Sequence, residues 1–261
     1  MDLILSEGQY NLVSNAFSFV FAAMLAAAVF FILARSRVAP KYRVAVTVST
    51  LVVVIAGYHY LRIFDSWVAA FDAADGAFVA NGSFNEGYRY VDWLLTVPLL
   101  LAELVLVLAL AKATQLKLIV RLGIAAALMI VLGYPGEIAS DAAVKWGWWI
   151  AAMIPFAYIL YVLFIQLGSS ITAMSPRVGG MVNAARWLLL ASWAFYPVAY
   201  LLPLTGLDAA TAEVARQVGY SIADVVAKPV FGLVIYFIAR AKSEELGYDA
   251  DDYSDRVAVA A

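Results

Sequence analysis

The sequence predicts an all-α membrane protein, a bundle of seven transmembrane helices with its N-terminus outside and its C-terminus in the cytoplasm. Three observations predict it. Of the 261 residues, 65% are hydrophobic and only 14% are charged, where a soluble domain carries about 25% charged residues. The mean hydropathy is +0.87. The apolar residues gather in seven runs, each near the roughly 20 residues a helix needs to cross a bilayer. Finally, basic and acidic residues alternate from loop to loop. A backbone facing lipid must satisfy its own hydrogen bonds, so the runs are helices.

The first run covers about 9–34 and has no charged residue. The second, about 44–61, carries only His59. The third, about 88–111, carries Arg89, Asp92 and Glu103. The fourth, about 118–136, has Arg121 at its edge, and the fifth, about 144–171, is long and aromatic. The sixth covers about 186–207 and the seventh about 213–239. Connections after runs one, three and five hold Arg35, Arg37, Lys41, Arg43, Lys112, Lys117, Arg121, Arg177 and Arg186 and no acid. Those after runs two, four and six hold Asp65, Asp72, Asp75, Glu86, Glu137, Asp141, Asp208 and Glu213. Positive charge marks the cytoplasmic side. Within the extracellular 65–87 connection, "ANGSF" carries an Asn-Gly hairpin signal that predicts a short two-stranded ribbon. Residues 1–242 form the membrane domain, and 243–261 form an acidic cytoplasmic tail expected to be disordered.

Several function classes are excluded. There is no cysteine, and His59 is the single histidine, so thiolate chemistry and an intrinsic metal site are not expected. A net charge of −2 gives no case for nucleic acid. No nucleophile, metal or nucleotide motif argues for an enzyme. The start, MDLILSEGQYNLV, lacks the basic region of a conventional signal peptide.

The charges inside the runs carry the functional argument. Lys228 lies in mid-run with Asp224 four residues before it. A lysine at the centre of a membrane helix costs roughly 2.5–3.5 kcal/mol. One reading is a structural i, i+4 ion pair; the other is an ion or proton path. The third run, 89-RYVDWLLTVPLLLAELVLVLAL-110, sharpens the second. Asp92 and Glu103 are eleven residues apart, a spacing that returns almost to the same helix face and covers roughly 16 Å. Arg89, Asp92, Thr96 and Glu103 therefore follow one another from the outside inward, like two stations for a proton. The plainer alternative is that Glu103 ends a helix at a wet interface. Trp93, the 193-WAFYPVAY-200 stretch and the aromatic fifth run suit a long, flat, apolar ligand, although aromatic stripes are more often packing.

Arg-Tyr-Val-Asp-Trp-Leu-Leu-Thr-Val-Pro, Trp-Ala-Phe-Tyr-Pro and Asp-Val-Val-Ala-Lys, on runs three, six and seven, resemble the microbial rhodopsins, over residues 10–240. The resemblance implies all-trans retinal bound as a protonated Schiff base to Lys228, with Asp92 and Asp224 as counterions. It implies Arg89 on their extracellular side. It implies a pocket of Trp93, Leu100, Met129, Gly133, Trp149, Ala152, Phe156, Trp193, Tyr196, Pro197 and Tyr200.

The triplet Asp92, Thr96 and Glu103 resembles that of bacterial outward proton pumps of the proteorhodopsin and xanthorhodopsin kind. In that likeness Asp92 is the proton acceptor, and Glu103, set among Leu and Ala, holds a proton at neutral pH and serves as cytoplasmic donor. His59 matches a histidine that pairs with the acceptor, unless it is bonded to a backbone carbonyl. Leu100 implies green absorption. Trp149 stands where carotenoid-binding relatives have Gly, so no antenna carotenoid is expected. The glutamate pair that releases protons in archaeal pumps is not matched: Arg216 stands at one of its places and Glu213 is displaced. The resemblance also implies the inner membrane of a bacterium and a homo-oligomer, pentamer or trimer. Two other classes remain: a photosensor acting through a partner, and a retinal-free transporter.

Overall fold

In the computed structural model, residues 3–82 and 84–248 are described. Seven long helices run up and down among them: α1 (Glu7–Ala34), α2 (Arg43–Ala69), α3 (Gly87–Leu108), α4 (Lys112–Glu137), α5 (Ala142–Thr172), α6 (Pro176–Tyr200) and α7 (Ala209–Glu244). Six are long and apolar enough to cross a membrane. The exception, α6, falls short in hydropathy because its first half carries Arg177, Asn183 and Arg186. Side chains such as Leu33 and Ile154, each 70% exposed, form an apolar outer belt. Such a belt suits lipid rather than water.

The helix starts are written locally. Ser6 caps α1 in a reciprocal box with Gln9. Asp141, Ser175 and Asp208 each accept from a backbone N–H in the first turn of α5, α6 and α7. Such caps contribute about 1 kcal/mol each. Ala109 ends α3 in a left-handed conformation at φ 55°.

Two spans contain π turns. In α5 the turn is Val162–Gln166. In α7 it is Val226–Val230, which contains Lys228 and Pro229. Pro229 has no N–H to give to the helical ladder, so the ladder widens there.

The boundaries differ from the sequence expectation at polar ends. α2 runs on to Ala69 rather than stopping near Leu61, because Arg62 reaches Tyr88 while Ile63 and Trp67 stay buried. α6 begins at Pro176, ten residues before the expected Arg186, since the Ser175 cap and Pro176 at the first position start a helix that hydropathy does not mark.

The expected ribbon is corrected in turn and strand number. β2 (Phe71–Ala74) pairs with β3 (Ala77–Ala80) around Asp75–Gly76, whose φ values of 48° and 80° suit a tight hairpin turn. Asn81 instead ties the hairpin's end to α2, its side chain donating to Ala69 and its N–H to Ala70. A third strand, β1 (Ile4–Ser6), joins β3 antiparallel, giving the order β1-β3-β2. Tyr10 stacks on Phe78 at 3.8 Å, and Trp67 packs on Phe71 and Phe84, seating the sheet on α1 and α2.

At the other end, α7 extends into the segment expected to be tail. Ser243 accepts from the Ala39 N–H, Glu244 pairs with Arg177, and Tyr248 donates to the Ser36 carbonyl. The rest of the expected tail, 249–261, lies outside the described residues.

Close packing of α1 on α7 rests on Gly232. A Cβ there would meet the buried Phe31 ring at 2.6 Å. Gly232→Ala is expected to destabilise the bundle by about 1–3 kcal/mol. The loss would be read as a lower midpoint in thermal loss of helical circular dichroism.

Candidate functional site

Lys228 sits where the widened turn of α7 faces α3. Its Nζ lies 2.5 Å from Asp92 Oδ2 and 2.9 Å from Asp224 Oδ1, with all three side chains 1% exposed. The i, i+4 pair expected on α7 is therefore formed, and Asp92 completes a triad across two helices.

The two carboxylates differ sharply in their support. Asp224 accepts from the Tyr60 hydroxyl at 2.7 Å, the Tyr196 hydroxyl at 2.6 Å and the Trp93 indole at 3.3 Å. Asp92 Oδ1 has no hydrogen-bond partner among the described residues. Thr96 does not supply one, since its hydroxyl donates to the Asp92 backbone carbonyl at 2.8 Å. His59 Nδ1 is 3.9 Å from Asp92 Oδ1 but only 2.9 Å from the Ile55 carbonyl. The carbonyl-bonded alternative for His59 is thus the hydrogen bond formed, with Asp92 alongside at ion-pair range.

Arg89 is 1% exposed and bonds no acid directly. It donates to Tyr60 Oη at 3.1 Å and Gln217 Oε1 at 2.6 Å, and its guanidinium lies over Phe17, Tyr60 and Tyr220. Glu103 is fully buried on the same face of α3 as Asp92. It does not end a helix in water. Ser49 of α2 donates to Glu103 Oε2, a partner that sequence reasoning missed; Oε1 is unpaired among the described residues. The sequence carried little signal, since Ser49 is one of three hydroxyl residues, with Thr47 and Thr50, in the first half of the second run.

A mainly apolar cavity opens at Lys228. Each of the eleven pocket residues expected from the sequence lines it. Tyr90, Val97, Ile130, Met153, Tyr220 and Ala227 line it as well. Trp149 is fixed there by its indole N–H, which donates to the Pro197 carbonyl at 2.9 Å. An apolar aromatic slot ending at a buried amine, with an unpaired carboxylate oxygen beside that amine, fits a long apolar aldehyde attached through lysine.

A second polar cluster, on the hairpin side of Arg89, was not expected. Arg216 donates to Glu137, and through Nη2 to Glu86 and Glu213 at 2.6 Å each. Gln217 Nε2 donates to Glu86 at 3.0 Å and Glu213 at 2.8 Å. Glu137 also accepts from Tyr90 at 3.1 Å and Tyr220 at 3.4 Å. Burial pushes the Glu86 carboxyl up to about 7; Arg216 opposes this, and Glu213 and Glu137 add to it. Glu213, Arg216 and Gln217 share one helical face at i, i+3 and i+4, which was the visible clue. Glu86, in the turn before α3, and Glu137, at the end of α4, lie far off in sequence.

Seven helices around a buried lysine–carboxylate triad and an aromatic cavity define a membrane protein of the microbial rhodopsin class. A family model described as bacteriorhodopsin-like protein matches residues 11–242, and the chain belongs to that family. The crystallographic structure of xanthorhodopsin, described as a light-driven ion pump with dual chromophore, is 52% identical. It covers 95% of this chain and 100% of its own, with a TM-score of 0.90. The crystal structure of thermophilic rhodopsin is 51% identical over the same shares, with a TM-score of 0.91. The green-light absorbing proteorhodopsin of Gamma-proteobacterium EBAC31A08 is 35% identical over 229 residues, 87% of this chain and 86% of its own. With the family comes its cofactor, covalently bound retinal.

The unequal support of the two carboxylates predicts unequal losses. Asp224→Ala would strand three donors, whereas Asp92→Ala would leave Lys228 with Asp224. Breaking a buried pair costs about 3–5 kcal/mol, so Asp224→Ala should lower the thermal unfolding midpoint well below that of Asp92→Ala.

Proposed function

We propose that the protein is a light-driven outward proton pump in which Lys228 carries retinal, Asp92 accepts the proton and Glu103 resupplies it. The observation that carries this is the pair of buried carboxyls on one face of α3. One touches the Lys228 nitrogen. The other lies roughly 16 Å along the helix with no cation beside it.

Bound to Lys228, retinal supplies light absorption and a change of shape that turns the lysine nitrogen. The protein groups divide the rest. Asp224, held by three donors, has its charge well solvated and remains the standing counterion. Asp92, with one oxygen unpaired and the shorter contact, takes the proton from the Lys228 nitrogen. Ser49 orients Glu103, which returns a proton from the opposite side. Leu100 and the apolar ends of the cavity separate the two stations, so that access switches rather than leaks. Positive loop charge assigns the Glu103 side to the cytoplasm, and the bacterial relative favours an inner-membrane location.

Within the cavity, Leu100 favours green absorption, and one relative is a green-light absorbing proteorhodopsin. Trp149 fills the wall where an antenna carotenoid would lie, so a single chromophore is proposed. A photosensory role leaves the buried, Ser49-held Glu103 without a task.

Cells supplied with retinal should acidify their medium in light, and a protonophore should abolish the signal. Coloured cells with no pH change would end the pump proposal. Lys228→Ala should abolish colour and transport, and Asp92→Asn should shift absorption to the red and stop pumping. Glu103→Gln should keep the colour but slow reprotonation by about 100-fold, the scale of a lost general acid. Unchanged recovery in flash spectroscopy would remove Glu103 from the donor role.

A further inference from the structure

We propose that Lys145, a buried cation at the end of the cavity remote from Lys228, helps to set the colour of the protein by holding its absorption toward shorter wavelength. The proposal rests on the part of the reading above that seats retinal on Lys228, and not on the direction of pumping.

The packing of the helices places Lys145 at that end. The π turn that carries Lys228 packs on α1, α2 and α6, whereas α5 packs chiefly on α4. The α4 and α5 residues of the cavity wall, among them Met129, Gly133, Trp149, Ala152 and Phe156, therefore form its far end. Lys145 stands in the first turn of α5, one turn before Trp149. It is only 5% exposed.

The side chain is fixed where three helices meet. Its ammonium donates to the carbonyls of Gly136 at 2.8 Å and Glu137 at 2.9 Å, the last two residues of α4. It also lies 5.0 Å from the centre of the Tyr200 ring. Tyr200 lines the cavity and donates its hydroxyl to the Lys145 carbonyl at 3.3 Å. A Cβ on Gly136 would collide with Tyr200 Oη and lie 2.7 Å from Trp148 Cβ, so glycine alone admits this approach. The Glu137 carboxylate turns instead to Arg216, Tyr90 and Tyr220. The ammonium is thus a fixed positive charge whose direct partners are the partial negative charges at the end of α4.

The sign of the colour effect follows from where that charge sits. In a protonated retinal imine, light absorption draws positive charge from the nitrogen toward the ring end of the polyene, which here lies away from Lys228. A fixed cation beside that end opposes the displacement, through a medium that screens it far less than water does. The energy of absorption therefore rises. With the ammonium gone, the bare carbonyl end of α4 would favour the same displacement. Both changes lower the energy.

The test is the absorption maximum of the purified retinal-bound protein. Lys145→Met, neutral and of similar length, should move the maximum to longer wavelength. Lys145→Arg should keep it near the unmodified value. The shift of the Raman C=N stretch in heavy water reports the contact of the lysine nitrogen with Asp92 and Asp224, and it should be the same in Lys145→Met as in the unmodified protein. A maximum that stays in place or moves to shorter wavelength overturns the proposal. So does an equal shift in Lys145→Arg, the mark of packing rather than charge, or a changed heavy-water shift, the mark of a disturbed triad. Lys145→Gln repeats the test with a side chain that still donates to the α4 carbonyls. Neutral variants that bind no retinal, beside a coloured Lys145→Arg, assign the ammonium to the fold and overturn the proposal. Lys228→Ala is measured alongside. Colour surviving in it overturns the attachment and this proposal together, whereas a colourless Lys228→Ala with an unshifted Lys145→Met overturns the role of Lys145 alone.

Discussion

A cation that must stay inside a membrane governs this molecule. Lys228 cannot be solvated by lipid, so carboxylates have to be brought to it, and carboxylates are as costly there as the amine. The structure meets this with one acid from its own helix and one from α3. Once Asp224 is fixed beside Lys228, its other lone pairs need donors, and Tyr60, Trp93 and Tyr196 converge from three helices. The positions of α2, α3, α6 and α7 around the centre are thus tied to a single charge. The same residues form one end of the aromatic cavity, so the polar problem and the apolar site are solved by shared side chains.

In the proposed pump, the asymmetry between the two acids sets the direction of transfer. An acid with three donors and an acid with an unpaired oxygen respond differently to the same ammonium. Arg89 adds to this by bonding neutral groups, Tyr60 and Gln217, instead of either acid. A guanidinium locked to a carboxylate would be hard to move. One held by a phenol, an amide and ring faces can follow the charge.

Much of this was legible in the sequence because the expensive features are rare and local. Lys228 and Asp224 are four apart on one helix, and Asp92 and Glu103 lie on one face of another, so helix geometry alone aligned them. Loop charges and apolar runs marked the spans where the ends were apolar. Sequence failed where polarity is spent within the fold. The first turns of α6 look like loop because Arg177 and Arg186 suppress hydropathy, yet Arg186 is buried and bonds the Leu163 carbonyl. The hairpin turned at Asp75–Gly76 rather than Asn81–Gly82 because both pairs carry the same local signal and only the pairing with β1 and α2 chooses between them. The Glu86–Glu137–Glu213 cluster joins the turn before α3, the end of α4 and the first turns of α7, a convergence that no spacing encodes. Ser49 became meaningful only once α2 was laid against Glu103.

The π turn at Val226–Val230 makes α7 two rods joined by a swivel. Its extra residue puts the register of the Phe231–Glu244 rod about a third of a turn out of phase with the Ala209–Val225 rod. Lys228 is at the joint, not on either rod. Torque applied at that side chain therefore acts at the joint itself, while the Ala209–Val225 rod is held through Asp224 and Gln217. The second swivel, in α5, is pinned by the Arg186 contact to α6. α5 and α6 are thereby tied together at the second irregular turn, so neither can swing there without the other.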